Sequence, residues 1–218
     1  EISNEEWFEK NRIQVKLSSK VTSIDAVFRK IRANDKEYSY DSLVLATGST
    51  PIMPPFDNKE LMGIYTIWTW KDVIEINKSL TDAQNAVIIG GGLLGLEAAH
   101  KISEMGINVS LIEAMPRLLP KQLDEKGSEI FEGKVRSLGI SVFCGKSVEG
   151  FEADKNGHVA QVRLADGTLL KADVVIVAVG VKPNTGIFSD SVMSVNRFIN
   201  VNEKMETGMD GVYAAGDV

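Results

Sequence analysis

Three glycines at a fixed spacing are the first residues of this chain that could do chemistry. Gly90, Gly92 and Gly95 follow the apolar run 87–89 and precede a segment of good helix formers. In such a strand–turn–helix, the first glycine allows a tight turn, the second lets the backbone approach a pyrophosphate, and the third lets the helix pack close to the strand. Unpaired N–H groups at the start of the helix would bind the anion. The pattern predicts a dinucleotide site, with a turn that serves packing alone as the alternative.

An acidic residue follows at the distance that such a site needs. Glu113 ends the next apolar segment, 23 residues after Gly90, where its carboxylate can accept hydrogen bonds from the ribose diol of adenosine. Two unit negative charges about 4 Å apart repel each other by about 4 kcal/mol at an effective dielectric constant near 20, before screening, so this carboxylate would disfavour a 2′-phosphate. We therefore expect NADH to bind more tightly than NADPH.

Two charged side chains near the turn each allow two interpretations. Glu97 lies in the first turns of the predicted helix. It either points towards the nicotinamide and positions the ring, or is a carboxylate that interacts with the helix dipole. Arg117 either covers an adenine face or a phosphate, or is a surface cation.

The elements that must position these residues follow from hydrophobic periodicity. The strand 87–89, a helix that continues to Met105 and a strand over 108–112 form a βαβ unit, which requires parallel pairing. An amphipathic helix over 123–138 and a strand over 141–144 follow. Short β segments over 147–153, 158–165 and 168–172, with Asn-Gly and Asp-Gly turns between them, predict an antiparallel meander.

An internal repeat divides the chain. Asp41–Pro51 and Asp173–Pro183 share the pattern D-x, three apolar residues, A-x-G-x-x-P, at an offset of 132 residues. A second predicted meander, over 21–28, 29–33 and 36–40, precedes the first copy. The glycine-turn strand lies 86 residues before Asp173, so its counterpart would precede Glu1. We therefore expect a fragment: a remnant of one nucleotide-binding domain over 1–57, a complete one over 58–182, and a returning segment of the first over 183–218.

Composition narrows the function classes. The net charge of −6, without a long basic run, argues against binding to nucleic acid or an anionic membrane. The apolar runs are too short to span a bilayer, and a cytoplasmic location is expected. The single cysteine, Cys144, excludes an internal disulfide, a cysteine-rich zinc site and a four-thiolate cluster within these 218 residues. No metal site is predicted.

Four segments together carry a family resemblance. The motifs ATGSTP at 46–51, GGGLLGLEAA at 90–99, AVGVKPN at 178–184 and YAAGD at 213–217 resemble the FAD-dependent pyridine nucleotide-disulfide oxidoreductase superfamily. Within it, GGGLLGLEAA and MPRLLPKQLD at 115–124 look most like the reductase portion of assimilatory NAD(P)H-nitrite reductase large subunits. Rubredoxin reductases and NADH oxidases are also similar. The resemblance implies a Rossmann-like three-layer α/β fold for the NAD-binding domain, with an antiparallel meander, and an incomplete FAD-binding domain of the same type.

The resemblance also implies a two-step electron path. NADH would give a hydride to FAD, and reduced FAD would pass electrons to an acceptor, which is nitrite, rubredoxin, oxygen or a disulfide. The alternative function is a non-catalytic module that binds NAD(H) or senses the redox state. A homodimer is one assembly that the resemblance allows. Glu97 would be the catalytic residue. The predicted NADH-binding residues are Gly90, Gly91, Gly92, Leu93, Leu94, Gly95, Glu113, Arg117, Val179 and Gly180, and those for FAD are Ala46, Thr47, Gly48 and Asp217.

Overall fold

The chain forms two units in a computed structural model that describes residues 4–187, 195–196 and 198–218. The central unit is Thr50–Lys182, and the split unit combines Glu1–Ser49 with Pro183–Val218. Residues 50–57, which the sequence analysis grouped with the N-terminal segment, belong by their contacts to the central unit. The Ile52 N–H donates to the Gly180 carbonyl at 3.0 Å, and the Asp57 N–H donates to that of Glu149 at 3.1 Å.

The described residues form four helices and seventeen strands. The helices are α1 (Glu5–Lys10), α2 (Trp70–Leu80), α3 (Leu93–Glu104) and α4 (Glu125–Ser137). The strands are β1 (Val21–Asp25), β2 (Lys30–Ala33), β3 (Lys36–Ser39), β4 (Leu43–Leu45), β5 (Ser49–Pro51), β6 (Ile64–Thr66), β7 (Asn85–Ile89), β8 (Asn108–Glu113), β9 (Ser141–Cys144), β10 (Val148–Ala153), β11 (Val159–Leu164), β12 (Leu169–Lys171), β13 (Val174–Val177), β14 (Val181–Pro183), β15 (Val195–Asn196), β16 (Phe198–Ile199) and β17 (Val212–Ala214).

The central unit is built on a parallel sheet of five strands in the order β6-β13-β7-β8-β9. Its two faces are covered by different elements, because alternate side chains of a strand point to opposite faces. On one face, Ile88, Leu111 and Ile176 pack against the apolar sides of α2, α3 and α4. On the other face, Val87 and Val175 pack in one cluster with residues of the three-stranded meander β10-β11-β12. The predicted three-layer α/β fold with an antiparallel meander is confirmed.

Local signals set where these elements begin and end. The side chain of Asp124 accepts from the Gly127 N–H at 2.7 Å, so α4 starts at Glu125 rather than at residue 123. Gly106, with φ +81°, follows the end of α3. In the first meander, the strand predicted over 21–28 ends at Asp25 because the carboxylate of Asp25 accepts from the Phe28 N–H at 2.9 Å and closes a turn.

The split unit contains a second antiparallel meander, β1-β2-β3, and a parallel pair of strands, β4 and β17. Its buried apolar cluster is small and consists of Leu45, Ile199, Val212, Ala214 and Val218. Asn34 and Asp35, both at positive φ, form the turn between β2 and β3 where the sequence predicts it. Within the described part of the chain, no helix is long and apolar enough to cross a bilayer.

Candidate functional site

The glycine turn after β7 leaves little room for side chains: a Cβ on Gly91 would lie 2.7 Å from the buried side chain of Leu118, and two other positions are blocked by backbone. Gly90 has φ +118°, and a Cβ there would lie 2.4 Å from the carbonyl oxygen of Ala178. A Cβ on Gly95 would lie 2.0 Å from the carbonyl oxygen of Gly90. A Cβ on Gly92, by contrast, would meet no atom within 4 Å. Sterics therefore fix the turn at Gly90 and Gly95, while Gly92 borders open space that a ligand can occupy.

The N terminus of α3 has no protein cap. Gly92 is the N-cap residue and offers no side chain to accept from the first turn. Among the described residues, the N–H groups of Leu93, Leu94 and Gly95 have no recorded acceptor, and the first i−4 bond of the helix is that from the Leu96 N–H to the Gly92 carbonyl. Orphan amides and the positive end of the helix dipole together favour an anion at this position.

Glu113, at the end of β8, is bound to the glycine turn. One carboxylate oxygen accepts from the Gly91 N–H at 2.6 Å, and the other accepts from the Met115 N–H at 2.7 Å. The carbonyl of Gly91 accepts from the Leu119 N–H at 3.2 Å. Both backbone polar groups of Gly91 are therefore used inside the protein, and the amides free for an anion are those that follow it. The carboxylate of Glu113 is held by two hydrogen bonds at the mouth of the turn.

A cavity of about 700 Å³ opens where the strands β7, β8 and β13 end. Ligand sites of parallel α/β sheets form at this edge. The cavity brings together seven of the predicted residues: Gly90, Gly92, Leu93, Leu94, Glu113, Val179 and Gly180. Its wall is largely apolar and includes Pro51, Phe56, Ile89, Ile112 and Val177. A groove of this kind can bury flat apolar rings and place their polar links against the amides of α3.

Four residues predicted for the NADH site lie outside the lining of this cavity: Gly91 and Gly95, which belong to the glycine turn itself, and the side chains of Glu97 and Arg117. Glu97 is exposed on α3. Arg117 lines a separate groove with Glu125 and Glu129, and its Nη2 donates to the Pro120 carbonyl at 3.4 Å. The Arg117 Nε is buried without a hydrogen-bond partner among the described residues. The roles predicted for both side chains stay predictions.

The cavity is also lined by residues to which the sequence assigns no binding role. These are Met115, Lys121 and Lys146. Met115 and Lys146 each lie two residues beyond the end of a parallel strand. That position relative to the strand ends was the available signal, because the residues at this edge surround the same crevice.

The residues predicted to border FAD lie at strand ends of the split unit. Gly48 has φ +64°, and a Cβ there would meet no atom within 4 Å. The Thr47 hydroxyl donates to the backbone carbonyl of Asn184 at 2.9 Å. The side-chain amide of Asn184 donates to the backbone carbonyl of Thr47, also at 2.9 Å. Asp217 follows β17 and accepts from the Ser49 hydroxyl at 3.4 Å. Since β4 and β17 are parallel, Ala46 and Asp217 follow strand ends at the same edge of this sheet.

The surroundings of Cys144 disfavour its thiolate form. Burial and the neighbouring carboxylate of Glu132, whose Oε2 lies 3.6 Å from the Sγ, raise the pKa of the Cys144 thiol to about 12. The thiolate, which is the reactive form, is therefore scarce at neutral pH.

Known proteins show the same fold and related sequences. The nitrite reductase [NAD(P)H] of Bacillus subtilis is 34% identical over 97% of this chain, which spans 26% of that relative's length. The water-forming NADH oxidase of Lactobacillus brevis, solved with NADH, matches 99% of this chain and 49% of its own with a TM-score of 0.90 and 27% identity. An engineered NADPH-oxidising mutant of that enzyme, solved with NADPH, covers the same shares at a TM-score of 0.89 and 25% identity.

The family description covers almost the whole chain, so that the glycine turn, its acid and both copies of the repeat fall inside it. The match extends over residues 3–218. The chain belongs to the pyridine nucleotide-disulphide oxidoreductase family.

Proposed function

We propose that the central unit binds NADH, with the pyrophosphate at the N terminus of α3. The observation that carries this proposal is the set of unpaired amides at 93–95, which follow a turn that only glycine fits at Gly90. The adenosine ribose would then lie at Glu113, and the nicotinamide would lie against the apolar wall near Val179 and Gly180.

The acid at Glu113 favours NADH over NADPH. The engineered NADPH oxidase differs from its parent at a glycine, a consecutive Asp-Ala-Met triplet and a proline. The same residue types, with glutamate in place of aspartate, occur at the same spacing in this chain as Gly95, Glu113, Ala114, Met115 and Pro120. In that oxidase the acid is lost and two arginines are gained in the NADPH-binding form. This supports the expectation that the unaltered Glu113 selects against a 2′-phosphate.

We further propose that the longer protein is an NADH-dependent flavoprotein oxidoreductase. The strand ends of the split unit fit the edge of a flavin site, because a Cβ on Gly48 would meet no atom within 4 Å and, among the described residues, the Asp217 carboxylate has one recorded hydrogen bond, from Ser49 at 3.4 Å. Ala46, Thr47, Gly48 and Asp217 would hold FAD. When bound, FAD would accept a hydride from NADH and pass the electrons to an acceptor.

The residues of the chain contribute positioning. The amides after Gly92 fix the pyrophosphate, Glu113 fixes the ribose, and the apolar wall of the cavity keeps water from the nicotinamide. We also propose that Glu97, the predicted catalytic residue, orients the nicotinamide ring. Similarity to the nitrite reductase favours that enzyme's reductase portion as the parent of this chain, with rubredoxin, oxygen or a disulfide as other acceptors. The unpaired cysteine, Cys144, suits a reducing compartment such as the cytoplasm.

Fluorescence titration of the 218-residue chain with NADH and NADPH tests the coenzyme proposal. We expect a lower Kd for NADH than for NADPH. The ratio of the two Kd values should be retained in Glu113→Asp, which keeps the charge, and should fall towards one in Glu113→Ala, which loses it. Equal Kd values for the two coenzymes in the unaltered chain would contradict the role given to Glu113.

Reduction of an artificial dye by NADH separates the enzyme from a non-catalytic binding module. We expect the full-length flavoprotein to reduce the dye at a rate that falls when the pyrophosphate site is disrupted by Gly90→Ala. Coenzyme binding by the full-length protein without turnover would favour the module.

A further inference from the structure

Two lysines line the cavity that also contains Glu113, the acid expected to disfavour NADPH. They are Lys121 and Lys146. The Lys146 N–H donates to the Glu113 carbonyl at 3.1 Å, and the Gly145 N–H donates to that of Met115 at 2.8 Å. The loop that follows β9 is therefore fastened to the segment that carries the acid.

The two ammonium groups differ in their partners. The Lys146 Nζ contacts the carboxylate of Asp166 at 2.6 Å, so its charge is already balanced. Among the described residues, the Lys121 ammonium has no recorded ion-pair or hydrogen-bond partner, and the residue is exposed. Lys121 directly follows Pro120, the position at which the engineered NADPH oxidase gains an arginine by the spacing given above. This chain therefore already carries a cation one residue after that position.

We propose that Lys121 is a second determinant of coenzyme choice: it binds the 2′-phosphate of NADPH and partly offsets the repulsion by Glu113. This inference rests on the proposed NADH site. A phosphomonoester carries close to two negative charges at neutral pH and forms strong charge-assisted bonds with lysine. Lys146 contributes less to phosphate binding, because its ammonium group already forms an ion pair with Asp166. The site consequently binds NADPH more tightly than an acid alone would allow, while NADH remains the preferred coenzyme.

Two variants of opposite expected effect test this inference in the 218-residue chain. Lys121→Met should raise the Kd for NADPH by about three- to tenfold, the range of an exposed to partly buried charge contact, and change the Kd for NADH less than twofold. Asp166→Asn should lower the Kd for NADPH by about two- to fivefold, because it frees Lys146. Asparagine can still accept from the Thr168 N–H, which now donates to the Asp166 side chain at 3.0 Å, so the turn is retained.

The control is Lys134→Met, an equivalent change on α4 outside the cavity lining, which should leave both Kd values unchanged. Added salt should weaken NADPH binding more in the unaltered chain than in Lys121→Met. The inference is overturned if Lys121→Met leaves the ratio of the two Kd values within twofold of the unaltered chain, or if it weakens both coenzymes equally. Failure of the unaltered chain to bind NADH at all would instead overturn the proposed function.

Discussion

The two copies of the repeat show how one local pattern serves two environments. In the second copy, Asp173–Pro183, strand β13 lies between β6 and β7, and all four of its residues are buried. In the first copy, Asp41–Pro51, strand β4 pairs with β17 alone within the described part of the chain. Ile176 is 1% exposed, whereas Val44, which occupies the corresponding position of the first copy, is 62% exposed.

The turn that ends each strand is nevertheless alike. Gly48 and Gly180 both have positive φ, +64° and +109°, with open space at the Cβ position, and a short strand follows each of them. The pattern thus encodes a strand and its left-handed turn locally, while the burial of the strand depends on the neighbours that the rest of the unit supplies. Substitutions at corresponding strand positions of the two copies should therefore change the free energy of unfolding by very different amounts, although the local geometry of the copies is alike.

The largest difference is expected at the corresponding central residues. Ile176→Ala should lower the free energy of unfolding by about 2–5 kcal/mol, because it leaves a cavity between the sheet and its helices. Val44→Ala, at the exposed position of the first copy, should change it by less than about 0.5 kcal/mol. Urea denaturation followed by circular dichroism measures both values, and similar losses in the two variants would refute the difference in burial.

The turns should be closer in energy. Gly48→Ala should cost about 1 kcal/mol, since φ +64° lies in the left-handed region that alanine adopts only at a cost. Gly180→Ala should cost about 1–3 kcal/mol, because φ +109° lies beyond that region. Gly133→Ala, at a helical position of α4 with nothing within 4 Å, is the control and should stabilise by about 0.5–1 kcal/mol. A cost at Gly48 larger than that at Gly180 would contradict this account.

The aspartates that open the two copies should also differ. The carboxylate of Asp173 accepts from the backbone N–H groups of Gln84 and Asn85, at 3.0 and 2.8 Å, and from the Asn85 side chain at 3.2 Å. For Asp41, the recorded hydrogen bond is that from the Arg29 guanidinium to its backbone carbonyl. Asp173→Ala should therefore cost about 1 kcal/mol, and Asp41→Ala close to nothing. Equal values from thermal denaturation would remove this distinction.

The smallest change in the free energy of unfolding at neutral pH is expected for Cys144, the one cysteine of the sequence, which lies in the central unit. Because the pKa of the folded thiol is raised from 9.0 to about 12, folding is favoured by the protonated thiol below pH 9. This contribution should be lost as the pH rises from 9 towards 12, and Cys144→Ser should lack that loss. Urea titrations of both proteins at pH 8 and pH 10 measure it. Rapid labelling of the native thiol by a disulfide reagent at pH 8 would contradict the raised pKa.

Much of the central unit could be predicted because its signals are local. The glycine turn, the capping residue Asp124 and the Asn-Gly and Asp-Gly hairpins each act within a few residues. The sequence does not predict strand β6, since its three residues are too few to show a period of two. Ile64–Thr66 becomes a strand because Val175–Val177 offers a parallel ladder beside it, and no local pattern contains that information.

The site was predicted less completely than the fold. The spacing from Gly90 to Glu113 indicated that the two residues belong together, and both line the cavity. The bond from the Gly91 N–H to Glu113, which removes that amide from the ligand, depends on the path of the loop over 114–123. Lys146 reaches the same edge from the end of β9, and only the order of the strands places it there.

Amide chemical-shift mapping of the ¹⁵N-labelled chain during titration with NADH locates the bound pyrophosphate. We expect the largest shifts on the amides of residues 92–95, where the pyrophosphate binds, with further shifts at Glu113 and Ala114. Shifts centred on another surface, or none at saturating coenzyme, would contradict the proposed site.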